Sequence, residues 1–305
     1  MKIKVCILMS TYNGEKYIRM QLDSILNQKN IEPVIIVRDD CSTDHTIHIL
    51  NEYEKLGKIK VIKGQERLGP ALSFMSLLYD SPSYDYYGFS DQDDIWKPEK
   101  ILKAVEKLND RNMPALYCSN QTIYSNGREI GKRFINLPNF SLVNTICGNS
   151  LSGCTMIFNR ELRDILIREE SRPSIEVLRI RMHDVWIVLA ALITGQVIYD
   201  DNSYIDYRIH NENTVGLNRG IKHKINKLIK VLMEEGARNG RSKTAQELLR
   251  CIEVSKECDL KILNGFAYYK TNRKKKINLL KDEKIKKECD ENRLFFLFKV
   301  LINWI

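Results

Sequence analysis

Three carboxylates within four residues are the part of this sequence that most directly suggests chemistry. They lie in the run Asp91-Gln92-Asp93-Asp94, directly after an apolar stretch. Carboxylates held this close repel one another unless a cation is present. Hard divalent cations prefer oxygen ligands, and Mg²⁺ usually takes one or two protein carboxylates and completes its shell with water and substrate phosphates. The run therefore predicts a site for a divalent cation; the alternative is an acidic turn that caps the next helix.

The elements that must position this run are strands that alternate with helices. Segments of helical periodicity separate four apolar, strand-like runs, at residues 2–10, 33–38, 59–63 and 84–90. Such alternation predicts a parallel sheet covered by helices on both faces. Ligands bind at the carboxyl ends of the strands in these sheets. Three polar clusters fall at those ends and predict a site there: Thr11–Gly14, Asp39–Asp44 and Asp91–Asp94.

Beyond residue 113 the pattern is mixed. An apolar helix is predicted at residues 183–194, and from residue 219 the chain is helical in composition. Further strands are predicted at residues 115–124 and 152–159 and as two runs within 196–209.

The net charge of +9 is located at one end of the chain. Residues 219–305 contain 22 Lys and Arg against 11 Asp and Glu, a net charge of +11, whereas residues 1–218 contain 26 against 28, a net charge of −2. The excess therefore belongs to an appendage, which could serve nucleic acid or an anionic membrane surface. The sequence contains no aromatic-interleaved basic motif of a known nucleic-acid module, so no nucleic acid partner is expected.

The eight cysteines include no Cys-x-x-Cys pair, and several lie in apolar, strand-like runs. This pattern suits reduced, buried thiols better than disulfides or a zinc site. The amino-terminal apolar run is too short for a signal peptide, and no apolar stretch is long enough to span a bilayer. We expect a cytoplasmic protein that is peripheral at the inner face of the cell membrane.

Four motifs in this order resemble the family 2 glycosyltransferases with the GT-A fold: Ser10–Gly14, Asp39–Asp44, Leu68-Gly69 and Asp91–Asp94. The likeness covers about residues 3–215 and is greatest to bacterial rhamnosyltransferase-like members that build polysaccharides. It implies an α/β fold with a Rossmann-like, mixed and mainly parallel sheet flanked by helices. It also implies a metal-dependent, inverting transfer of a sugar from a nucleoside diphosphate donor, dTDP-rhamnose or a UDP-sugar, to an acceptor hydroxyl, in cell-surface polysaccharide synthesis.

The resemblance suggests how the chain is divided. Residues 1–218 would form the catalytic domain, with a nucleotide-binding half at about 1–112 and an acceptor-binding half at about 113–218. Residues 219–305 would form a basic, helical carboxy-terminal region.

The resemblance also implies the donor site. Asp39 or Asp40 would accept a hydrogen bond from the N3–H of uracil or thymine, although a helix cap and turn is the alternative for residues 39–44. Asp93 and His210 would bind the metal, Mn²⁺ or Mg²⁺. The implied donor-binding residues are Thr11, Tyr12, Asn13, Glu15, Asp39, Asp40, Gly69, Ser73, Asp91 and Gln92.

The pair His183-Asp184 stands where this family places its catalytic base. Asp184 would take the proton of the acceptor hydroxyl as its oxygen attacks the anomeric carbon. Alternatively, the pair only caps the apolar helix that follows. The acceptor, a saccharide or a lipid-linked saccharide, would contact Asp94, Trp96, Gly153, Cys154 and His183. Cys154 has no activating histidine nearby in sequence and is predicted to be buried and inert, and Trp96 could equally be a core residue.

Two other functions are considered on the residues alone. A metal-dependent nucleotidyltransferase would also combine a nucleotide-binding sheet with acidic ligands, but Thr11–Glu15 lacks the glycines and basic residue of a phosphate loop. A nucleic-acid-binding protein that uses the basic tail leaves the ordered acidic motifs unexplained.

The last residues, 294–305, are strongly apolar and follow basic segments. This combination is typical of an interfacial amphipathic helix that makes peripheral contact with an anionic membrane. The alternative is a helix that buries its apolar side chains against the rest of the protein.

Overall fold

The computed structural model describes residues 2–125, 127–210 and 235–305 of the chain. Within these residues the chain forms two compact units. The first comprises residues 2–137, 151–167 and 195–210 and contains the described strands, and the second comprises residues 138–150, 168–194 and 235–305 and is helical. The domain boundary predicted at residue 218 lies outside the described residues.

The strands of the first unit form one mixed sheet. Their bounds are β1 (Ile3–Thr11), β2 (Ile31–Asp39), β3 (Ile59–Lys63), β4 (Tyr86–Ser90), β5 (Ile95–Trp96), β6 (Ala115–Ser125), β7 (Arg128–Lys132), β8 (Ile157–Asn159) and β9 (Gln196–Ile209). The order is β3-β2-β1-β4-β8-β6-β9-β5, with β7 beside β6. Strands β1 to β4 are mutually parallel, β6 and β9 are parallel, and β8 is antiparallel to both of its neighbours. This is the mixed, mainly parallel sheet that was predicted.

Two strand predictions were wrong in detail. The strand predicted at residues 152–159 is confined to β8, because Gly153–Thr155 form a short 3₁₀ turn. The two runs predicted within residues 196–209 are one continuous strand, β9, which pairs with β6 through two shifts of register.

The parallel part of the sheet brings the predicted motifs to one edge. Residues 5–9 of β1 are completely buried, as expected for a strand covered on both faces. Thr11 at the end of β1 is in register with Asp39 at the end of β2, and Met9 is in register with Ser90 at the end of β4. The loops that follow these three strands therefore leave the sheet side by side.

Helices connect the strands and make up most of the second unit. Their bounds are α1 (Ile18–Leu26), α2 (Thr46–Lys55), α3 (Pro70–Tyr79), α4 (Lys100–Leu108), α5 (Leu142–Cys147), α6 (Arg160–Leu166), α7 (Ile175–Thr194), α8 (Glu235–Cys251), α9 (Glu257–Tyr268), α10 (Arg273–Lys281), α11 (Glu283–Glu288) and α12 (Arg293–Leu301). Helices α1, α2 and α3 lie in the segments of helical periodicity that were predicted to separate the first four strands. The carboxy-terminal helices α8 to α12 agree with the predicted helical region.

The helix α7 of the second unit is broken at Met182. This residue has φ 68° and ψ 160°, a backbone conformation that non-glycine residues rarely adopt. The predicted apolar helix at residues 183–194 is therefore the part of α7 that follows the break, and its residues Val185–Ala191 are buried. Among the described residues, no helix has the length and apolar character needed to cross a membrane.

Candidate active site

Gln92 ties the loop after β4 to the loop after β1. Its Oε1 accepts hydrogen bonds from Thr11 Oγ1 (2.5 Å) and Tyr12 N (2.9 Å), and its Nε2 donates to Tyr12 O (3.0 Å). A Cβ atom on Gly14 would lie 2.4 Å from the same Oε1, so a larger residue at this position would displace the end of the Gln92 side chain from these hydrogen bonds. The first and last of the predicted donor motifs therefore form one connected structure.

The loops after β1 and β2 are joined in the same way. Asn13 N donates to Ser42 Oγ (2.9 Å), and Asn13 Oδ1 accepts from Thr43 N (2.8 Å). Glu15 N donates to Asp44 Oδ2 (3.1 Å), while Asp44 Oδ1 accepts from the backbone N–H of residue 46 in the first turn of α2 (2.9 Å). Asp44 thus holds the turn together, which is the structural role that the sequence left open.

Both carboxylate oxygens of Asp40 accept hydrogen bonds from within the protein. Its carboxylate accepts from Leu68 N (2.9 Å) and Gly69 N (2.8 Å), and it forms a buried ion pair with Arg38. These contacts place Gly69, at φ 78°, immediately before α3, where Ser73 is buried and accepts a hydrogen bond from a β1 side chain.

Asp39 keeps an acceptor oxygen open. Its Oδ2 accepts from Ser42 N (3.0 Å), whereas its buried Oδ1 has no hydrogen-bond partner among the described residues. A buried carboxylate oxygen without a donor is costly, and a nucleobase imide N–H is a donor that would satisfy it. The two aspartates therefore differ in their hydrogen bonding, and Asp39 is the one with an open acceptor oxygen.

Asp93 and His210 lie in contact at the carboxyl edge of the sheet. Nε2 of His210 is 2.8 Å from Oδ2 of Asp93, and both side chains are largely buried. The ring of Tyr17 stacks on the imidazole with centroids 4.7 Å apart. Arg208 Nε donates to the backbone oxygen of Asp93 (2.5 Å) and fixes the loop beside the end of β9. The two predicted metal ligands are therefore together.

Asp91 and Asp94 form a second group of ligand atoms with Cys154. One atom of each residue lies within 4.8 Å of the others. Asp94 is fully buried, and neither carboxylate oxygen receives an N–H or O–H hydrogen bond from a described residue. Burial, and then the carboxylates of Asp93 and Asp91, raise the pKa of Asp94 well above its usual range. A bound cation would relieve this repulsion, and the two carboxylates, unlike the Cys154 thiol, are ligands that a hard divalent cation prefers.

Cys154 itself is not suited to nucleophilic chemistry. It is buried, as predicted, and burial raises the pKa of its thiol well above the usual range. Its sulfur accepts a hydrogen bond from Gln121 Nε2 (3.1 Å), and Gln121 Oε1 in turn accepts from Arg133 (2.9 Å). Cys154 and the preceding Gly153 belong to the short 3₁₀ turn before β8.

Asp184 belongs to the second unit, just after the break in α7. Its Oδ2 accepts from Asn149 Nδ2 (2.9 Å), and its Oδ1 accepts from the backbone N–H of Val185 (2.8 Å). The neighbouring His183 is buried, and burial lowers its pKa to about 3, so its imidazole is neutral at physiological pH. A hydrogen-bonded carboxylate at the start of a helix is consistent with either a base or a cap.

The family model named Glycosyl transferase family 2 matches residues 6–166, which is more than half of the chain. The chain belongs to glycosyl transferase family 2. This glycosyltransferase is 31% identical over 237 residues to the dTDP-rhamnosyl transferase RfbG of Shigella flexneri, with 72% of this chain and 78% of the relative covered. It is 28% identical over 218 residues to the putative teichuronic acid biosynthesis glycosyltransferase TuaG of Bacillus subtilis (strain 168), with 70% and 82% covered.

Solved glycosyltransferase structures share its fold. Residues 1–349 of TarS from Staphylococcus aureus, in complex with UDP-GlcNAc, align with a TM-score of 0.60 at 18% identity and cover 99% of this chain and 82% of that one. The mannosyltransferase PcManGT from Pyrobaculum calidifontis, in complex with GDP-Man and Mn²⁺, aligns with a TM-score of 0.58 at 13% identity, with 99% and 74% covered. The predicted GT-A fold is confirmed, and the family membership argues against a nucleotidyltransferase or a nucleic-acid-binding protein.

A buried lysine beside Trp96 is a feature that the sequence did not reveal. Lys100, at the start of α4, is fully buried, and its Nζ lies 3.6 Å from the centroid of the Trp96 ring. Burial lowers the pKa of Lys100 to about 7, against the opposing influence of Cys154 and Asp94. The signal that could have indicated this burial is the position of Lys100 next to Ile101, on the buried face of α4. Trp96 is likewise buried, so stacking on an acceptor sugar would require its exposure.

Proposed function

We propose that this glycosyltransferase transfers rhamnose from dTDP-rhamnose to a hydroxyl of a saccharide or lipid-linked saccharide, with inversion at the anomeric carbon, at the cytoplasmic face of the membrane. A UDP-sugar is the alternative donor. The observation that carries the proposal is the contact between Asp93 and His210 at the edge where the three donor loops meet. The 31% identity to RfbG, named as a dTDP-rhamnosyl transferase, supports the choice of donor. The complex of TarS with UDP-GlcNAc supports the alternative.

In this proposal the first unit binds the donor. The open Oδ1 of Asp39 accepts the N3–H of thymine or uracil, a donor that cytosine lacks. The ring of Tyr12, which carries the Arg67 guanidinium 3.8 Å from its centroid, lies in the loop that holds the nucleotide. The backbone N–H groups of this loop are fixed by Gln92 and Ser42, so the loop is organised before the donor binds.

The metal and the base complete the proposed mechanism. Mn²⁺ or Mg²⁺ held by Asp93 and His210 would supply positive charge to the diphosphate leaving group. Asp184 accepts the proton of the acceptor hydroxyl while the acceptor oxygen bonds to the anomeric carbon and the bond from that carbon to the diphosphate breaks. Asn149, which donates to Asp184, holds the carboxylate in one orientation. We propose residues 1–218 as the catalytic domain and 219–305 as its basic, helical extension.

The test is thermal stabilisation by dTDP, UDP, GDP and CDP, each with Mn²⁺, Mg²⁺ or EDTA. A nucleotide that binds only the folded state stabilises it by about 2.7 kcal/mol at a concentration about 100 times its Kd. We expect a metal-dependent shift that is largest with dTDP. A larger shift with UDP would make a UDP-sugar the donor, and no shift with any nucleotide would overturn the proposal.

A further inference from the structure

The helix α12 exposes several large apolar side chains. Leu294, Phe298 and Leu301, spaced four and three residues apart, are 76%, 53% and 60% exposed. They form one stripe along the helix, named here the apolar stripe, which Phe295 borders. A charged residue, Lys299, is buried on the opposite side. A helix at a water-exposed surface is expected to carry polar side chains on its outer face instead.

Interactions on the inner face hold α12 in this orientation. The buried Lys299 pairs with Glu291, which also accepts a hydrogen bond from Arg241 Nη1 (2.8 Å). The Phe296 ring is buried, with its centroid 6.2 Å from that of Phe266 in α9. Rotation of the helix to bury the apolar stripe would break the ion pair and expose this aromatic contact. The exposure of the stripe is therefore a fixed feature of the second unit.

A basic segment meets the carboxy-terminal end of the apolar stripe. The helix α10 begins with the run Arg273–Lys276, and Lys276 Nζ donates to the backbone oxygen of Leu301 (3.0 Å) and to Asn303 Oδ1 (2.9 Å). This contact places the start of α10 beside the end of the stripe. Residues 273–301 contain ten Lys and Arg against five Asp and Glu, so this segment of the chain has a net charge of +5.

We propose that the apolar stripe and the basic run Arg273–Lys276 bind the surface of an anionic phospholipid bilayer, with α12 lying in the plane of the interface. Exposed Leu and Phe side chains flanked by lysines suit the boundary between headgroups and acyl chains. Positive charge is complementary to the anionic headgroups. A second copy of the chain is a poorer occupant, because a two-fold contact would bring the two positive surfaces together.

Membrane binding extends the proposed function and rests on it, because a lipid-linked acceptor would lie at the same bilayer. Membrane binding is tested without measuring sugar transfer. The full chain is sedimented with vesicles of phosphatidylglycerol and phosphatidylcholine, or of phosphatidylcholine alone, at low and high salt. We expect binding to the anionic vesicles that weakens as salt screens the lysines. Protein that stays in the supernatant with both kinds of vesicle overturns the proposal.

Two variants locate the surface. Leu294→Ser with Phe298→Ser is expected to weaken binding to anionic vesicles by at least about tenfold. The matched control, Ile135→Ser with Leu137→Ser, changes two side chains of the first unit that are 90% and 71% exposed and should bind as the wild type does. If the variant of Leu294 and Phe298 binds vesicles as the wild type does, or if both variants lose binding equally, the apolar stripe is not the membrane-binding surface.

Arg273→Glu with Lys274→Glu provides a second test, which does not depend on how the helix tolerates serine. We expect weaker binding and a smaller dependence on salt, and unchanged binding would contradict the role of the basic run. Sedimentation velocity shows whether the stripe instead joins two copies; a dimer that the serine variant dissociates, without vesicle binding, would replace the proposal. If the protein binds vesicles but no nucleotide, the proposed function is wrong and the membrane-binding proposal is retained.

Discussion

Nε2 of His210, at the end of β9, lies 2.8 Å from Oδ2 of Asp93, in the loop after β4. The two residues are 117 positions apart in sequence, and the register of β9 against β5 and β6 brings them together. A carboxylate and an imidazole in contact at a largely buried site suit a shared divalent cation.

This contact predicts that His210→Ala weakens the Mn²⁺-dependent binding of dTDP by at least about tenfold, since loss of even an indirect support of a metal ligand costs about that much. Asp93→Asn should have the same effect. Titration calorimetry of dTDP with Mn²⁺ and with EDTA measures it. The control is His48→Ala, which removes an exposed histidine of α2. Equal affinity in the His210 variant and the control would exclude His210 as a ligand.

Asp39 and Asp40 should behave differently when each is changed to asparagine. Asp39→Asn turns the open acceptor into an amide and should weaken dTDP binding, with little change in unfolding by urea. Asp40→Asn leaves the buried Arg38 without its charge partner and should lower the free energy of unfolding by about 3 kcal/mol. Each variant serves as the control for the other. Unaltered dTDP affinity in Asp39→Asn would show that the nucleobase binds elsewhere.

Asp184→Asn should abolish transfer and keep the donor bound, because only the proton acceptor is removed. We expect turnover to fall by about 10²–10⁴-fold with an unchanged Kd for dTDP. Glu176→Gln, in the first turn of the same helix, is the matched control, since Glu176 is exposed and pairs with Lys243. Turnover equal to that of the control would remove Asp184 from the mechanism and leave it as a helix cap.

Cys289 should be a reactive thiol. A hydrogen bond from the Cys147 thiol, with further contributions from a backbone N–H of Glu291 and the charge of Arg241, lowers the pKa of Cys289 to about 6. The thiolate therefore predominates at pH 7, and the rate of alkylation by iodoacetamide should fall only as the pH drops through about 6. Mass spectrometry of peptides after timed alkylation measures this rate.

Cys147→Ala removes the donor thiol and should shift the alkylation profile of Cys289 to higher pH, toward the ordinary pKa of a cysteine at about 8.5. A wild-type profile already centred at that value would contradict the proposed hydrogen bond.

The edge of the sheet that carries the donor motifs was predictable from local signals. An apolar run followed by polar residues marks the end of a buried strand, and β1, β2 and β4 end within one or two residues of the predicted positions. The strand β5 was not predictable, since two residues, Ile95 and Trp96, show no periodicity. Its pairing with β9 depends on a segment more than 100 residues away.

Other features depend on partners that the sequence does not reveal. Asp39 and Asp40 are adjacent and chemically identical, and they differ because Arg38 and the backbone of residues 68 and 69 contact only Asp40. The burial of Lys100 depends on packing against the Trp96 ring, a contact that the sequence does not show. No glycine or proline marks the break at Met182, and only the part of α7 that follows the break was predicted.

An assay of sugar transfer is the most direct test of the proposed mechanism. The protein is incubated with dTDP-rhamnose, Mn²⁺ and a lipid-linked saccharide, and both released dTDP and the rhamnosylated product are quantified, with EDTA and with the Asp93→Asn variant as controls. We predict equal amounts of dTDP and product, with the anomeric configuration inverted in the product, and a loss of both in the controls. Undiminished transfer in EDTA, or product with retained configuration, would contradict the metal-dependent, inverting mechanism.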